Sequence, residues 1–263
     1  MPTFSANLGF LFTEVPFLER FAAARACGFR AVEFMFPYGW DTDELAGRIG
    51  EAGLILDLFN LPAGDFETGE RGMATDPARR DEFRDGVERA LERADALGVR
   101  KLNCLVGRRD EAVAWQAQYD CLLDNLRWAA SRVGSTGRTL LVEQLNPLEN
   151  AGFFLDRIGL AERVLDEVGS PHLRLQFDVY HVQRTQGDVL ATLRRLIGRV
   201  GHVQIADSPE RHEPGTGELN YPVILAELDR LGYDGRIGLE YRPSGSTAES
   251  LGWVGANGWH LDD

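Results

Sequence analysis

The chain has 263 residues, 44% of them hydrophobic and 26% charged, which suits one soluble globular domain with a sizeable core. Its net charge of −13 argues against nucleic acid or an anionic membrane as partner, because both select basic surfaces. Met1–Thr13 has no basic stretch, no apolar run approaches the ~18 residues of a membrane span, and Cys27, Cys104 and Cys121 show no C-x-x-C spacing; a reduced, cytoplasmic setting follows.

Phe4–Phe12 reads as a first strand and its exit loop, with Asn7 where the two meet. Pro16 opens a helix through Cys27 that Gly28 closes. Ala31–Phe36 is a second strand, and Asp41-Thr42-Asp43-Glu44 caps a helix ending at Gly53. Ile55–Leu61 is strand three, followed by a long Gly-rich loop over Pro62–Thr75 and a helix from Pro77 to Leu97 stopped by Gly98. Lys101–Val106 is strand four, with a helix from Glu111 to Val133. Leu140–Asn146 contains strand five, and the loop Asn146–Phe154 leads to a helix ending near Val168. Leu173–Asp178 is strand six, a helix spans Gly187–Ile197, and His202–Ile205 lies in strand seven. The loop Asp207–Asn220 is rich in Pro and Gly, and the helix after Pro222 ends near Leu231. Ile237–Glu240 lies in strand eight, and Thr247–Val254 is a weak last helix before a tail.

Eight strands alternating with helices predict a parallel sheet, and the length divides into units of about 33 residues. No G-x-G-x-x-G follows strand one, so a closed (β/α)₈ TIM barrel spanning 1–263 as a single domain is favoured over an open doubly wound sheet.

The back half of the barrel carries the chemical signal. Glu143, Asp178, Gln204 and Glu240 end four successive strands, at intervals of 35, 26 and 36 residues. In strand six Leu173, Leu175 and Phe177 alternate with Arg174, Gln176 and Asp178, so the polar set points into the barrel and the apolar set packs against helices. Barrel enzymes place their reacting groups at these strand ends. Three carboxylates brought together call for a cation among them, and an all-oxygen set of Glu143, Asp178, Gln204 and Glu240 suits Mg²⁺ or Mn²⁺ better than Zn²⁺. The structural alternative is a set of buried acids satisfied by Arg174 and backbone donors. His181, in the loop after strand six, is a candidate donor to a substrate oxygen, and the alternative is a solvated loop histidine. Arg211, after strand seven, is a candidate clamp for an anionic substrate, against an ordinary surface arginine. Glu149 either binds a substrate hydroxyl or begins the next helix. His202 reads as a satisfied core histidine and Glu33 as structural. Phe10, Phe12, Trp40, Phe66 and Tyr241 are candidate pocket walls, or simple packing.

Leu141-Val142-Glu143, Phe177-Asp178-Val179-Tyr180-His181, His202-Val203-Gln204-Ile205-Ala206-Asp207, the run Arg211–Glu218 and Gly235–Tyr241 resemble hydroxypyruvate isomerases, of the xylose-isomerase-like barrel superfamily. Phe4–Leu8 and Val32–Tyr38 match as well, so the resemblance covers nearly the whole chain. It implies interconversion of hydroxypyruvate and tartronate semialdehyde, with Glu143 and Glu240 as proton donor and acceptor. The partner is then a small hydroxy-oxo acid, and the sequence leaves a homo-oligomer open. A 2-oxo-tetronate isomerase or a ketose 3-epimerase would share the glutamate pair. Related 3-epimerases carry a metal-binding histidine where this chain has Gln204, which weakens the expected metal set. Abasic-site endonucleases share the superfamily but gather zinc with many histidines, whereas this chain has five in all. A barrel that only binds its ligand would not need the acids at three strand ends.

Overall fold

The computed structural model describes residues 2–261, so Met1, Asp262 and Asp263 of the expected 1–263 domain lie outside it. Nine strands form one all-parallel sheet: β1 (Thr3–Asn7), β2 (Ala31–Glu33), β3 (Ile55–Leu56), β4 (Leu58–Asn60), β5 (Lys101–Cys104), β6 (Thr139–Glu143), β7 (Leu173–Asp178), β8 (Val200–Ile205) and β9 (Arg236–Leu239). Their order is β3-β2-β1-β9-β8-β7-β6-β5-β4. β3 and β4 are two halves of the expected third strand, broken at Asp57. The cylinder closes across this break, where Asp57 N donates to Val32 O (2.8 Å) and Asn60 N to Met35 O (2.7 Å). An eight-staved barrel is therefore the architecture, with one stave interrupted.

The main helices between staves are α1 (Arg20–Ala26), α2 (Thr42–Ala52), α3 (Arg80–Leu97), α4 (Trp115–Gly134) and α5 (Ile158–Val168). They are followed by α6 (Val179–Thr185), α7 (Val189–Leu196), α8 (Tyr221–Arg230), α9 (Thr247–Ser250) and α10 (Gly252–Ala256). Their ends obey local chemistry. Asp41 caps α2 by accepting from Glu44 N at 3.0 Å, and Gly53 closes it at φ +61°. In α3 the buried set Phe83, Val87, Ala90, Leu91 and Ala94 repeats at helical spacing and faces the barrel. Leu140, Val142, Leu175, Phe177, Val203, Ile205, Ile237 and Leu239 meet such faces from the strands, all essentially inaccessible. Each such burial stabilises the fold by roughly 1.5–3 kcal/mol. Among the described residues, no helix is long and apolar enough to cross a membrane.

The structure corrects several expected boundaries. Pro16 precedes one short 3₁₀ turn and Pro77 opens another, so α1 and α3 begin only at Arg20 and Arg80. The stretch before α4 is a turn held by Ala112 N on Asp110 Oδ1, which delays that helix to Trp115. The expected last helix is two short ones, α9 and α10. The residues after Asp178 form α6 rather than a loop, because Asp178 Oδ1 accepts from Tyr180 N (2.8 Å) and caps a new helix.

Candidate active site

The strand ends Glu143, Gln204 and Glu240 meet in one cavity of about 800 Å³, which His181, Arg211 and Glu149 also line; Asp178 does not line it but contacts His181 and Arg211, which do. Glu143 ends β6, Asp178 ends β7, Gln204 lies in β8 and Glu240 follows β9 directly. Parallel staves put all four at the same mouth, as the register of Glu143 with Gln176 and of Asp178 with Gln204 shows.

Glu143 is buried, and its Oε2 accepts from Asn103 Nδ2 (3.2 Å) and Gln176 Nε2 (2.9 Å). Burial raises its carboxyl well above the ordinary range, and the charges of Glu240 and Asp178 raise it further. Glu240 accepts from Arg211 Nη2 at Oε1 (2.7 Å) and from Asn7 Nδ2 at Oε2 (3.1 Å). Burial holds its pKa up at about 8 despite Arg211. Asp178 is raised to about 6, again chiefly by burial. Burial thus holds all three carboxyls above the ordinary carboxylate range, which makes them stronger proton acceptors once ionised.

His181 sits in the first turn of α6, with Nε2 3.5 Å from Asp178 Oδ2 and 4.0 Å from Glu143 Oε1. Its Nδ1 faces two donors, Asn146 N (3.2 Å) and Asn146 Nδ2 (2.8 Å). A backbone N–H can only donate, so Nδ1 accepts and the proton resides on Nε2. Burial and the nearby Arg211 lower the histidine pKa well below its usual value, which keeps the ring neutral. His181 is therefore an N–H donor aimed at the carboxylates.

Arg211 is held by a loop built on Asp207. The Asp207 carboxylate accepts from Ser208 N, Leu219 N, Gly215 N and Gly217 N at 2.8–3.0 Å, folding the Pro- and Gly-rich segment around itself. Gly217 has to be glycine there, since a Cβ would stand 2.0 Å from Ser208 O. Arg211 takes a left-handed backbone (φ +62°) and its guanidinium lies between the rings of Phe10 and Tyr180. It reaches Glu240 Oε1 (2.7 Å), Asp178 Oδ2 (3.4 Å) and Glu149 Oε2 (3.5 Å). Burial opposes its charge, but these acids more than compensate and raise its pKa.

Beneath the mouth runs a second polar layer. Gln176 Nε2 donates to Gln204 Oε1 (2.6 Å), and Gln204 Nε2 donates to Glu33 Oε1 (2.6 Å). Asn7 Nδ2 bridges Glu33 Oε1 and Glu240 Oε2, both at 3.1 Å. Glu33 Oε2 pairs with His202 Nε2 (2.8 Å), whose Nδ1 faces Lys101 Nζ (3.3 Å), while Lys101 also pairs with Asp57 at 3.2 Å. His202 and Glu33 are thus satisfied core groups, as expected. The Glu33 carboxylate fills the volume that a Cβ at Gly238 would need, at 2.4 Å.

The sequence model of a family described as Xylose isomerase-like TIM barrel matches residues 21–256. The chain belongs to this family. The Hydroxypyruvate isomerase of Escherichia coli is 44% identical over 97% of this chain and 98% of its own length. The 2-oxo-tetronate isomerase of Cupriavidus necator is 45% identical over the same shares. Among solved structures, one described as AP endonuclease, family 2 from Brucella melitensis superposes with a TM-score of 0.95 at 42% identity, covering 97% of this chain and 99% of that one.

Within this xylose isomerase-like barrel, the expected site residues come together with two adjustments. Gln204 lines the cavity, but its oxygen already receives Gln176 and its nitrogen is spent on Glu33. Glu149 does not begin a helix, since α5 starts at Ile158; its Oε1 instead accepts from Tyr180 Oη at 2.6 Å. Phe10 and Phe66 line the cavity. Trp40 stacks on Phe17, Phe12 packs on Phe29, and the Tyr241 hydroxyl turns to Ser250. Arg174 does not neutralise the acids; it donates to Val200 O.

A divalent cation fits the carboxylates. Glu143, Asp178 and Glu240 bring three formal negative charges to the mouth, and Arg211 alone touches two of them. Oxygens of Glu143 and Asp178 and a nitrogen of His181 lie within 4.8 Å of one another. The protonated Nε2 of His181 is no ligand in that tautomer, so Glu143 and Asp178 are the members of this group that would hold the ion, and the expected Glu240 is not part of it. Sequence reading missed Asn7, Asn103 and Asn146 as orienting groups. Their only signal was an amide at a strand end, which by itself says nothing of its partner.

Proposed function

We propose that this barrel interconverts hydroxypyruvate and tartronate semialdehyde through an enediolate, with Glu143 and Glu240 passing the proton. The observation that carries this reading is that both glutamates line one cavity and both are held as weak acids by burial. A carboxyl whose pKa is raised is a stronger base once ionised, able to remove a C–H proton beside a carbonyl and return it to the adjacent carbon. In hydroxypyruvate the proton leaves the hydroxymethyl carbon, the C=C of the enediolate forms, and protonation at the former carbonyl carbon gives the aldehyde. The hydroxyl hydrogen moves from one oxygen to the other.

The remaining residues support each part of this exchange. The Nε2–H of His181 donates to the developing oxyanion between the carboxyls. Gln176 Oε1 and Asn103 Oδ1 are buried without a partner, and both residues line the cavity, so they offer acceptors for substrate hydroxyls. Asn7 and Arg211 fix the two oxygens of Glu240. When bound, Mg²⁺ or Mn²⁺ would stabilise negative charge on the substrate oxygens.

A second reading, 2-oxo-tetronate isomerase, is supported by the 45% identical relative of that name and by a cavity larger than a three-carbon acid needs. A nuclease reading gains nothing from this mouth, where His181 is the one histidine lining the cavity and the chain carries a net charge of −13. The deciding assay follows turnover of hydroxypyruvate and 2-oxo-tetronate, with and without chelator, alongside metal content and deuterium uptake from D₂O into product. Absence of turnover and of deuterium uptake with both acids would refute the reading.

A further inference from the structure

A hydroxy-oxo acid presents a carboxylate as well as its reacting carbons, and that carboxylate needs a cation of its own. Arg211, the sequence-level candidate, is committed elsewhere: Glu240, Asp178 and Glu149 surround its guanidinium. A fourth carboxylate there would compete with three already in place. Two other arginines line the same cavity, Arg71 and Arg242. Among the described residues neither makes an ion pair within 4.0 Å.

The two differ in how they are held. Arg242 is exposed, and its guanidinium lies 5.7 Å from the Phe10 ring centre, with no side-chain hydrogen bond to fix it. Arg71 is half-buried, and its Nη1 donates to Phe66 O (3.0 Å) and Glu70 O (2.8 Å). Its guanidinium carbon sits 3.7 Å from the centre of the Phe66 ring, which itself packs on Phe36. The next residue, Gly72, is pressed against the end of β5. It has φ +107°, a Cβ there would stand 1.7 Å from Leu105 O, and its N donates to Ala63 O at 2.9 Å. The loop therefore delivers a fixed cation to the cavity wall, and among the described residues its Nε and Nη2 have no hydrogen-bond partner. Such an arginine, oriented by carbonyls and a ring, with Glu67 acting on it only from beyond ion-pair distance and Arg108 adding to the positive field, is a preformed carboxylate fork.

We infer that Arg71 binds the substrate carboxylate and makes the site select hydroxy-oxo acids over neutral ketoses. This rests on the isomerase reading for its substrate class, but the binding claim can be tested without turnover. Arg71→Ala, Arg71→Gln and Arg242→Ala are compared with wild type in calorimetric titrations with D-glycerate, an unreactive hydroxy acid. Kinetics with hydroxypyruvate and with neutral dihydroxyacetone accompany them.

The expected result is that Arg71→Ala and Arg71→Gln raise the glycerate Kd and the hydroxypyruvate KM about 10- to 100-fold. Their kcat should stay within about threefold of wild type, and dihydroxyacetone parameters should be unchanged. Arg71→Gln keeps the side-chain stem over Phe66, so it reports on the charge even if Arg71→Ala is poorly folded. Unaltered glycerate affinity in folded Arg71→Gln, loss carried by Arg242→Ala instead, or no glycerate binding by wild type would overturn the proposal. Glycerate binding lost with Arg71 in a wild type that turns over neither acid would uphold Arg71 and refute the isomerase reading.

Discussion

Replacing Glu143 by Gln separates catalysis from stability in one experiment. The carboxylate Oε2 accepts from Asn103 and Gln176, and a glutamine in the same rotamer keeps its oxygen there. Its new NH₂ stands where Oε1 was, 4.0 Å from His181 Nε2, so no close contact is lost. What disappears is a buried negative charge within 4.8 Å of an Asp178 oxygen. At an effective dielectric of about 20, two unit charges at that distance repel by about 3.5 kcal/mol, an upper bound for the relief. The pKa of Glu143 is raised in the folded state, so its neutral form is stabilising at low pH and that stability is lost as pH rises through the folded value. The variant's melting temperature should therefore gain on that of wild type as pH rises, because only wild type loses this contribution. Isomerase turnover should fall by about 10²–10⁴ at every pH, the usual share of a general acid–base group. Activity within tenfold of wild type would sink the proton-transfer role. A melting-temperature difference that does not move in the variant's favour as pH rises would sink the claim that this carboxyl is held against its preference.

Arg211→Met should destabilise the protein by roughly 3–5 kcal/mol at pH 8.5, because Glu240 and Asp178 lose their counter-charge. The loss should shrink near pH 5, where those acids, with pKa values about 8 and about 6, are protonated; denaturant unfolding at both pH values checks this. Asp178→Asn should keep α6, since Asn caps a helix as well as Asp, while turnover falls at least 100-fold. Circular dichroism and rate measurements on one preparation read the two effects separately. Glu33 is held up at about 8, chiefly by burial, so its neutral form stabilises the fold and that contribution is lost as pH rises from the ordinary carboxylate range through about 8. The corresponding upper bound is on the order of 5 kcal/mol, and Glu33→Gln should flatten the melting-temperature profile between pH 5 and 9.

The barrel was legible because its evidence is periodic. Leu173–Arg174–Leu175–Gln176–Phe177–Asp178 alternates with the pleat, and Gly53 and Gly98 stop helices at left-handed positions. The convergence of Glu143, Asp178 and Glu240 followed from the topology alone, since every parallel stave delivers its C-terminal end to the same face. Less legible were features decided by contacts between distant segments. Nothing local in Phe177–His181 distinguishes a strand that exits into a loop from one whose last residue caps a helix. At the break the Asp57 side chain meets Lys101, 44 residues later. The orientation of Gln204 is set by Glu33, 171 residues away, which is why its oxygen looked available from sequence. Arg211 lines the cavity, but its burden of three acids is a property of the assembled site.

Asn7 is contributed by the first strand and Glu240 follows the last, yet a single amide group ties them, across 233 residues. Glu240, the proposed proton carrier, consequently has its final orientation only after the two ends of the polypeptide have zipped side by side. During refolding, recovery of turnover should lag recovery of helical signal and track the last β1–β9 pairing. Enzymatic rate then becomes a clock for ring completion.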